Sequence, residues 1–274
     1  MKLREDELRQ LIKAFSDQYI EYTKIKTQLL SNLSMLIDQS FPGLSGLFVS
    51  IEYNSCENEK WIEFATSFWH CKCVSILSLK TFTKVYKKWC KRNNCHHVKA
   101  GDIYTLACAS TSMVSCCKNT KSLISIAASQ VSVVSKSISD VTYELICLAK
   151  MLPEYPIIIT FQGVDELLGS RLMAEIGDIR RFQQVSSLVC YAGFEAFDEG
   201  KEHRYKSDSQ NLRNILFLVM DSMLKSSPID DPVYQLMECM RSENEHYYSY
   251  VEAAAIEFLR IYYTSVKEYI SKRK

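Results

Sequence analysis

The chain has 274 residues with 47% hydrophobic content, enough to bury one substantial core or two smaller ones. Only eight glycines and five prolines interrupt it, so sheet-and-turn architectures are disfavoured and the expected class is mainly α. The charged N-terminus, a formal charge of +1 and apolar runs no longer than stretches such as Ile215–Met220 argue against a secretory signal or a membrane span.

In chain order, the first element predicted is a long coiled-coil-like helix over residues 1–50. Leu8, Leu11, Phe15, Tyr19, Tyr22, Ile25, Leu29, Leu33 and Leu36 advance 28 residues in eight steps, a spacing of 3.5, and the run stops at Phe41-Pro42-Gly43. Residues 51–150 read as a helical middle region of shorter helices, with serine-rich surfaces between Ser110 and Ser139. Within it, Lys84, Lys87, Lys88, Lys91, Arg92 and Lys99 flank Tyr86 and Trp89. Basic residues with interleaved aromatics track a nucleic-acid backbone and stack a base, while the same pattern also describes an amphipathic helix with its aromatics in the core. His70, Cys71, Cys73, Cys90, Cys95, His96 and His97 offer soft metal ligands, but Cys-x-Cys is not the usual zinc-knuckle spacing and buried cysteines also serve as small apolar residues. No metal site is assigned. The 11 cysteines, an odd number in a chain without a secretory signal, read as free thiols of a reducing cytoplasm.

Residues 151–274 form the third predicted region. Tyr155 to Phe161 reads as an extended run between prolines and a glycine, followed by a helix in which Leu168, Leu172 and Ile176 recur every four residues before Gly177 ends it. The turn between them, Gly163-Val164-Asp165, resembles a helix-hairpin-helix turn, whose free backbone N–H groups and helix dipole hold a phosphate. Asp165 stands where such turns carry a second glycine, and it is also a good N-cap. A second apolar seam, Tyr247, Val251, Ala254, Phe258, Tyr262, Val266 and Tyr269, pairs with the first in an internal hairpin or with another subunit.

Several blocks resemble, in order and spacing, the IS-one-ten family of insertion-sequence transposases: KIKTQLLSNLSMLIDQSFPGL from Lys24, LPEYP from Leu152, MAEIGDIRRF from Met173, LVCYAGF from Leu188, LRNILF from Leu212, DPVY from Asp231 and FLRIYYTSVKEY from Phe258. The resemblance implies a RuvC-like domain with metal-binding carboxylates, a helical linker, a last domain with a catalytic serine, and DNA and a guide RNA as partners. It also implies Gly163, Val164, Arg180, Arg181, Lys206 and Arg213 as nucleic-acid contacts beside the basic stretch. MKLREDELRQ already resembles the linker, so the RuvC-like domain is expected to be missing, and with it the Mg²⁺ that domain holds; no cofactor is expected in this chain. Where the family carries a Ser-Gly pair this sequence has Glu199 and Gly200, with Ser207 and Ser209 the nearest alternative nucleophiles. A carboxylate is a weak nucleophile and repels phosphate at short range.

Charge divides along the chain. Residues 151–274 hold 14 Lys and Arg against 19 Asp and Glu, a net of −5, and residues 1–150 hold 19 against 13, a net of +6. Phosphate contacts dominate non-specific affinity, so attraction for nucleic acid is expected from the first half. Three functions remain open on the sequence: a truncated, catalytically defective transposase that binds DNA and forms homo-oligomers through its seams; an active subunit working beside a separate RuvC-like partner; and a non-enzymatic helical interaction protein.

Overall fold

The computed structural model describes residues 4–48, 60–95, 98–194, 210–243 and 245–272. Among them are thirteen α-helices, one 3₁₀ turn and no strand. The helices are α1 (Glu5–Ser40), α2 (Leu44–Leu47), α3 (Lys60–Ser67), α4 (Lys72–Ser75), α5 (Leu79–Asn93), α6 (Ala100–Ala109), α7 (Lys118–Ala149), α8 (Tyr155–Ile158), α9 (Glu166–Ile176), α10 (Val185–Tyr191), α11 (Gln210–Ser226), α12 (Pro232–Ser242) and α13 (Tyr247–Ser271), with the 3₁₀ turn at Ile179–Arg181. No described helix is long and apolar enough to cross a membrane. The mainly α class holds.

The chain forms two compact units whose limits differ from breaks at 50 and 150. The first comprises residues 1–20 and 139–274, and the second comprises residues 21–138. The long helices α1 and α7 each contribute residues to both.

In the first unit, α13 is the central element and packs against α8, α10, α11, α12 and the 3₁₀ turn. Its buried residues include Val251, Ala254, Phe258, Leu259, Tyr262 and Val266, all of which touch the rest of this unit's core. The C-terminal seam is therefore largely consumed inside the chain, which favours the internal reading over a subunit interface. Helix α11 lays Ile215, Val219, Met220 and Met223 into the same core and packs on α9. Residues 155–158, expected to be extended, are helical instead. Pro156 lies in the first turn, where its missing N–H costs nothing, and burial of Ile158 outweighs the strand preference of the Ile157–Ile159 run.

Helix α1 starts with Glu5, Asp6 and Glu7 against its positive dipole end. In the first unit it buries Leu8, Ile12 and Ser16, and in the second Leu33, Ile37 and Ser40. Both sets follow a spacing of about four, whereas Leu11 and Ile25 of the expected 3.5-residue seam are 38% and 40% exposed. A heptad stripe needs one partner along its whole length; two separate cores each take only two or three turns, over which the ordinary period of 3.6 suffices.

Charged groups also join α1 to the first unit. Arg9, only 10% exposed, pairs with the 3%-exposed Glu154 at 2.5 Å and with Glu5 at 2.8 Å, and donates to the Gly177 carbonyl at 3.1 Å. Lys13 bridges Asp17 and the buried Glu175. Burial disfavours the charge on Arg9, but the hydrogen bond and field of Glu154 overcome this and raise its pKa above the ordinary arginine value.

The second unit is organised around Phe64. Its ring lies 4.6 Å from Phe68, 5.4 Å from both Phe48 and Trp89, and 6.0 Å from Tyr86, measured between centroids. Helix α6 packs against α2, α4 and α5, with Ile103 fully buried.

Candidate nucleic-acid interface

Helix α5 is built to show one charged side. Ser78 caps its start by accepting the Thr81 N–H, and Asn94, in the left-handed conformation with φ 49°, ends it. Phe82, Tyr86, Trp89 and Cys90 recur at helical spacing and are buried, while Lys80, Lys84, Lys87, Lys88, Lys91 and Arg92 are exposed. At 100° per residue, Lys80, Lys84, Lys87 and Lys91 fall within an arc of about 60° and run over three turns, with Lys88 and Arg92 beside them. The structure thus brings together the five basic residues predicted here, Lys84, Lys87, Lys88, Lys91 and Arg92. It adds Lys80, which sequence reading passed over although its i, i+4, i+7 relation to Lys84 and Lys87 was visible.

Two physical features set this face apart from an ordinary solvated one. The helix contains no acidic residue, and among the described residues none of the six cations forms an ion pair. Neighbouring like charges at i, i+4, such as Lys80 with Lys84 and Lys87 with Lys91, each oppose the helix by roughly 0.2–0.5 kcal/mol, and Lys80 in the first turn also opposes the dipole. Tyr86 and Trp89 are 3% and 7% exposed. They stack on each other at 5.7 Å, and the Tyr86 hydroxyl donates to the Val98 carbonyl. These aromatics belong to the core and cannot stack a base, so the expected interleaving becomes a separation of faces.

The Gly163 turn has a different setting. Gly163 has φ 74°, and a Cβ there would stand 2.5 Å from the Met223 side chain and 2.7 Å from the Val219 carbonyl oxygen. Glycine is required because the turn presses on α11. Val164 is buried in the same core. Asp165 accepts the Leu168 N–H at 2.7 Å, placing a carboxylate where a bound phosphate would sit. Such a cap contributes about 1 kcal/mol to the helix.

The remaining predicted contacts are scattered and mostly engaged. Arg180 pairs with Asp178 at 2.7 Å and Glu5 at 2.9 Å. Arg181 lies over the rings of Phe182 and Tyr191, 4.6 Å from each centroid. Arg213 pairs with Glu252, donates to the Gly193 carbonyl at 2.7 Å and covers the Phe194 and Phe217 rings. It ties Gly193, Phe194 and the start of α11 together. Glu199, Gly200, Lys206, Ser207 and Ser209 lie outside the described residues.

The metal alternative finds no support in the described residues, where no three His, Cys, Asp or Glu side chains gather to hold an ion. His70 is fully buried, accepts the Lys72 N–H at 3.1 Å and contacts the Val114 carbonyl at 3.0 Å, which satisfies both ring nitrogens. Cys90 and Cys95 are buried core residues, and His96 and His97 lie outside the described residues.

Charge also segregates by unit. Residues 21–138 carry 14 Lys and Arg against 7 Asp and Glu, a net of +7, leaving 19 against 25, a net of −6, for the first unit.

Among curated proteins and among solved structures no match was found. A family model does match: residues 155–235 fit the Transposase IS116/IS110/IS902 family. The matched segment lies in the acidic first unit and runs from α8 to the start of α12, so it includes the Gly163 turn and the position of Glu199 but not α5. Over this segment the chain is similar to the Transposase IS116/IS110/IS902 family.

Proposed function

We propose that this transposase-family chain binds DNA through its basic second unit, along the exposed face of α5, by contacts to phosphates rather than to bases. The observation that carries the reading is the row Lys80, Lys84, Lys87 and Lys91, which has no ion pair among the described residues, on a helix without any acid. Such a row is locally unfavourable and gains its compensation from an anionic partner. With the aromatics of α5 in the core, only the cationic heads are presented, which suits sequence-independent binding. Guide RNA, implied by the family resemblance, offers the same phosphate chemistry and is the comparison ligand.

Duplex DNA of arbitrary sequence, titrated by fluorescence anisotropy between about 50 and 200 mM salt, tests this. The triple variant Lys84→Glu, Lys87→Glu, Lys91→Glu is expected to lose at least tenfold in affinity. Its slope of log K against log salt should become shallower by roughly 0.9 for each phosphate contact removed. An unchanged affinity and slope would sink the proposal.

Chemistry is assigned separately. We read Glu199 as standing at the family's serine position, so the chain forms no covalent phosphoserine link to DNA. Incubation with end-labelled DNA and Mg²⁺, followed by denaturing gel electrophoresis, should show no protein–DNA adduct. An adduct that vanishes in Ser207→Ala or Ser209→Ala would identify a shifted nucleophile and reverse the assignment. The homo-oligomer reading now rests on the α1 stripe around Ile25, because the C-terminal seam lies inside the first unit's core.

A further inference from the structure

Between α5 and the chain that leads from it to α6 lies a cavity of about 290 Å³. Its walls combine Tyr86 and Cys90 of the helix with Cys95, Val98 and Ala100 of the following segment. The Cys95 N–H donates to the Cys90 carbonyl at 3.2 Å and the Tyr86 hydroxyl to the Val98 carbonyl at 3.1 Å, so that segment is held against the helix at two points. Buried thiols behave as small apolar groups, and the lining is mainly apolar. Its hydroxyl protons are already committed, because Thr83, also in the wall, donates to the Leu79 carbonyl at 2.7 Å. Charge enters through Lys87 and Lys91 alone among the described lining residues. Both are exposed, they sit one turn apart, and neither forms an ion pair among the described residues.

We infer that this cavity takes the hydrocarbon chain of a medium-chain fatty acid, whose carboxylate is held by Lys87 and Lys91. An apolar hollow beside two cations without acid partners is complementary to an anionic amphiphile: the chain leaves water, and the head meets two ammonium groups. The volume lies at the low end for small-molecule sites, about 300–1,000 Å³, which restricts the chain to medium length. A nucleobase is the poorer occupant. Its hydrogen-bonding edge would enter a wall with no hydroxyl proton left to offer, and polar groups buried without partners are costly. The site shares Lys87 and Lys91 with the face assigned to DNA, but the apolar walls concern only the fatty acid.

Isothermal titration calorimetry of the full chain with decanoate tests this, with acetate and adenosine monophosphate as comparison ligands. The titrations contain no DNA, so their failure and the failure of the DNA reading are separate results. Decanoate is expected to bind at one site per chain and more tightly than either comparison ligand. The double variant Lys87→Gln, Lys91→Gln, at exposed positions that leave the core untouched, should weaken decanoate by roughly tenfold, the loss expected when charge-assisted hydrogen bonds to the head are removed. Ala100→Leu fills the cavity and should abolish binding while the circular dichroism spectrum stays parental. Decanoate affinity unchanged in the lysine variant, or retained in a folded Ala100→Leu protein, would overturn the inference. So would adenosine monophosphate binding more tightly than decanoate, which would give the cavity to a nucleotide instead.

Discussion

Gly163→Ala is expected to destabilise the first unit by about 2–5 kcal/mol, combining roughly 1–2 kcal/mol for an L-residue at positive φ with roughly 1–3 kcal/mol for overpacking. The added methyl would meet the Val219 carbonyl oxygen at 2.7 Å, a backbone atom that cannot yield without moving α11, as well as the Met223 side chain at 2.5 Å. Gly177→Ala is the matched comparison in the same unit. Gly177 also has positive φ, 64°, but a Cβ there meets nothing within 4 Å, so only the backbone strain is incurred. Denaturant midpoints should place the Gly163 variant below the Gly177 variant by the overpacking component. At temperatures where both remain folded, DNA affinity should match the parent. A Gly163→Ala protein with parental stability and lost DNA binding would restore the turn to the role of a phosphate clamp.

Removal of Arg9 is expected to cost about as much, for an electrostatic reason. Glu154 is buried, and its Oε2 has no hydrogen-bond partner, so Arg9 is its chief compensation. Arg9→Met strands that carboxylate in the core, and breaking a buried pair from one side costs roughly 3–5 kcal/mol. The double variant Arg9→Met, Glu154→Leu removes both charges and should recover most of the loss, because a hydrophobic replacement of the whole pair is often neutral. A double-mutant cycle by urea unfolding measures the coupling. If the single and double variants were equally destabilised, Arg9 would be acting through its packing and its bond to the Gly177 carbonyl instead.

The helices that the sequence singled out were legible because each needs only a local pattern. Leu168, Leu172 and Ile176 advance by four and end at Gly177, and α9 runs from Glu166 to Ile176. The amphipathic form of α5 was likewise written in the spacing of Phe82, Tyr86 and Trp89 against its lysines. The same spacing was equally compatible with exposed, base-stacking aromatics. Only the packing of Phe64 against Tyr86 and Trp89 decides that those rings are core.

By itself the sequence determined the mainly helical class, the resemblance to insertion-sequence transposases over blocks that the family match at residues 155–235 supports in part, and the presence of a basic stretch. These depend on residue order alone. The tertiary structure decided which glycine serves packing, which arginines are already paired and where each apolar stripe is spent. Arg180 and Arg213 read as phosphate ligands until Glu5 and Glu252 are brought to them from other parts of the chain, with Asp178 already beside Arg180 in sequence. Their partners lie up to 175 residues away. Pairings over such separations follow from the packing of α1 and α13 and leave no periodic trace in the sequence, whereas the α5 row is set apart by having no ion pair among the described residues, which only their packing reveals.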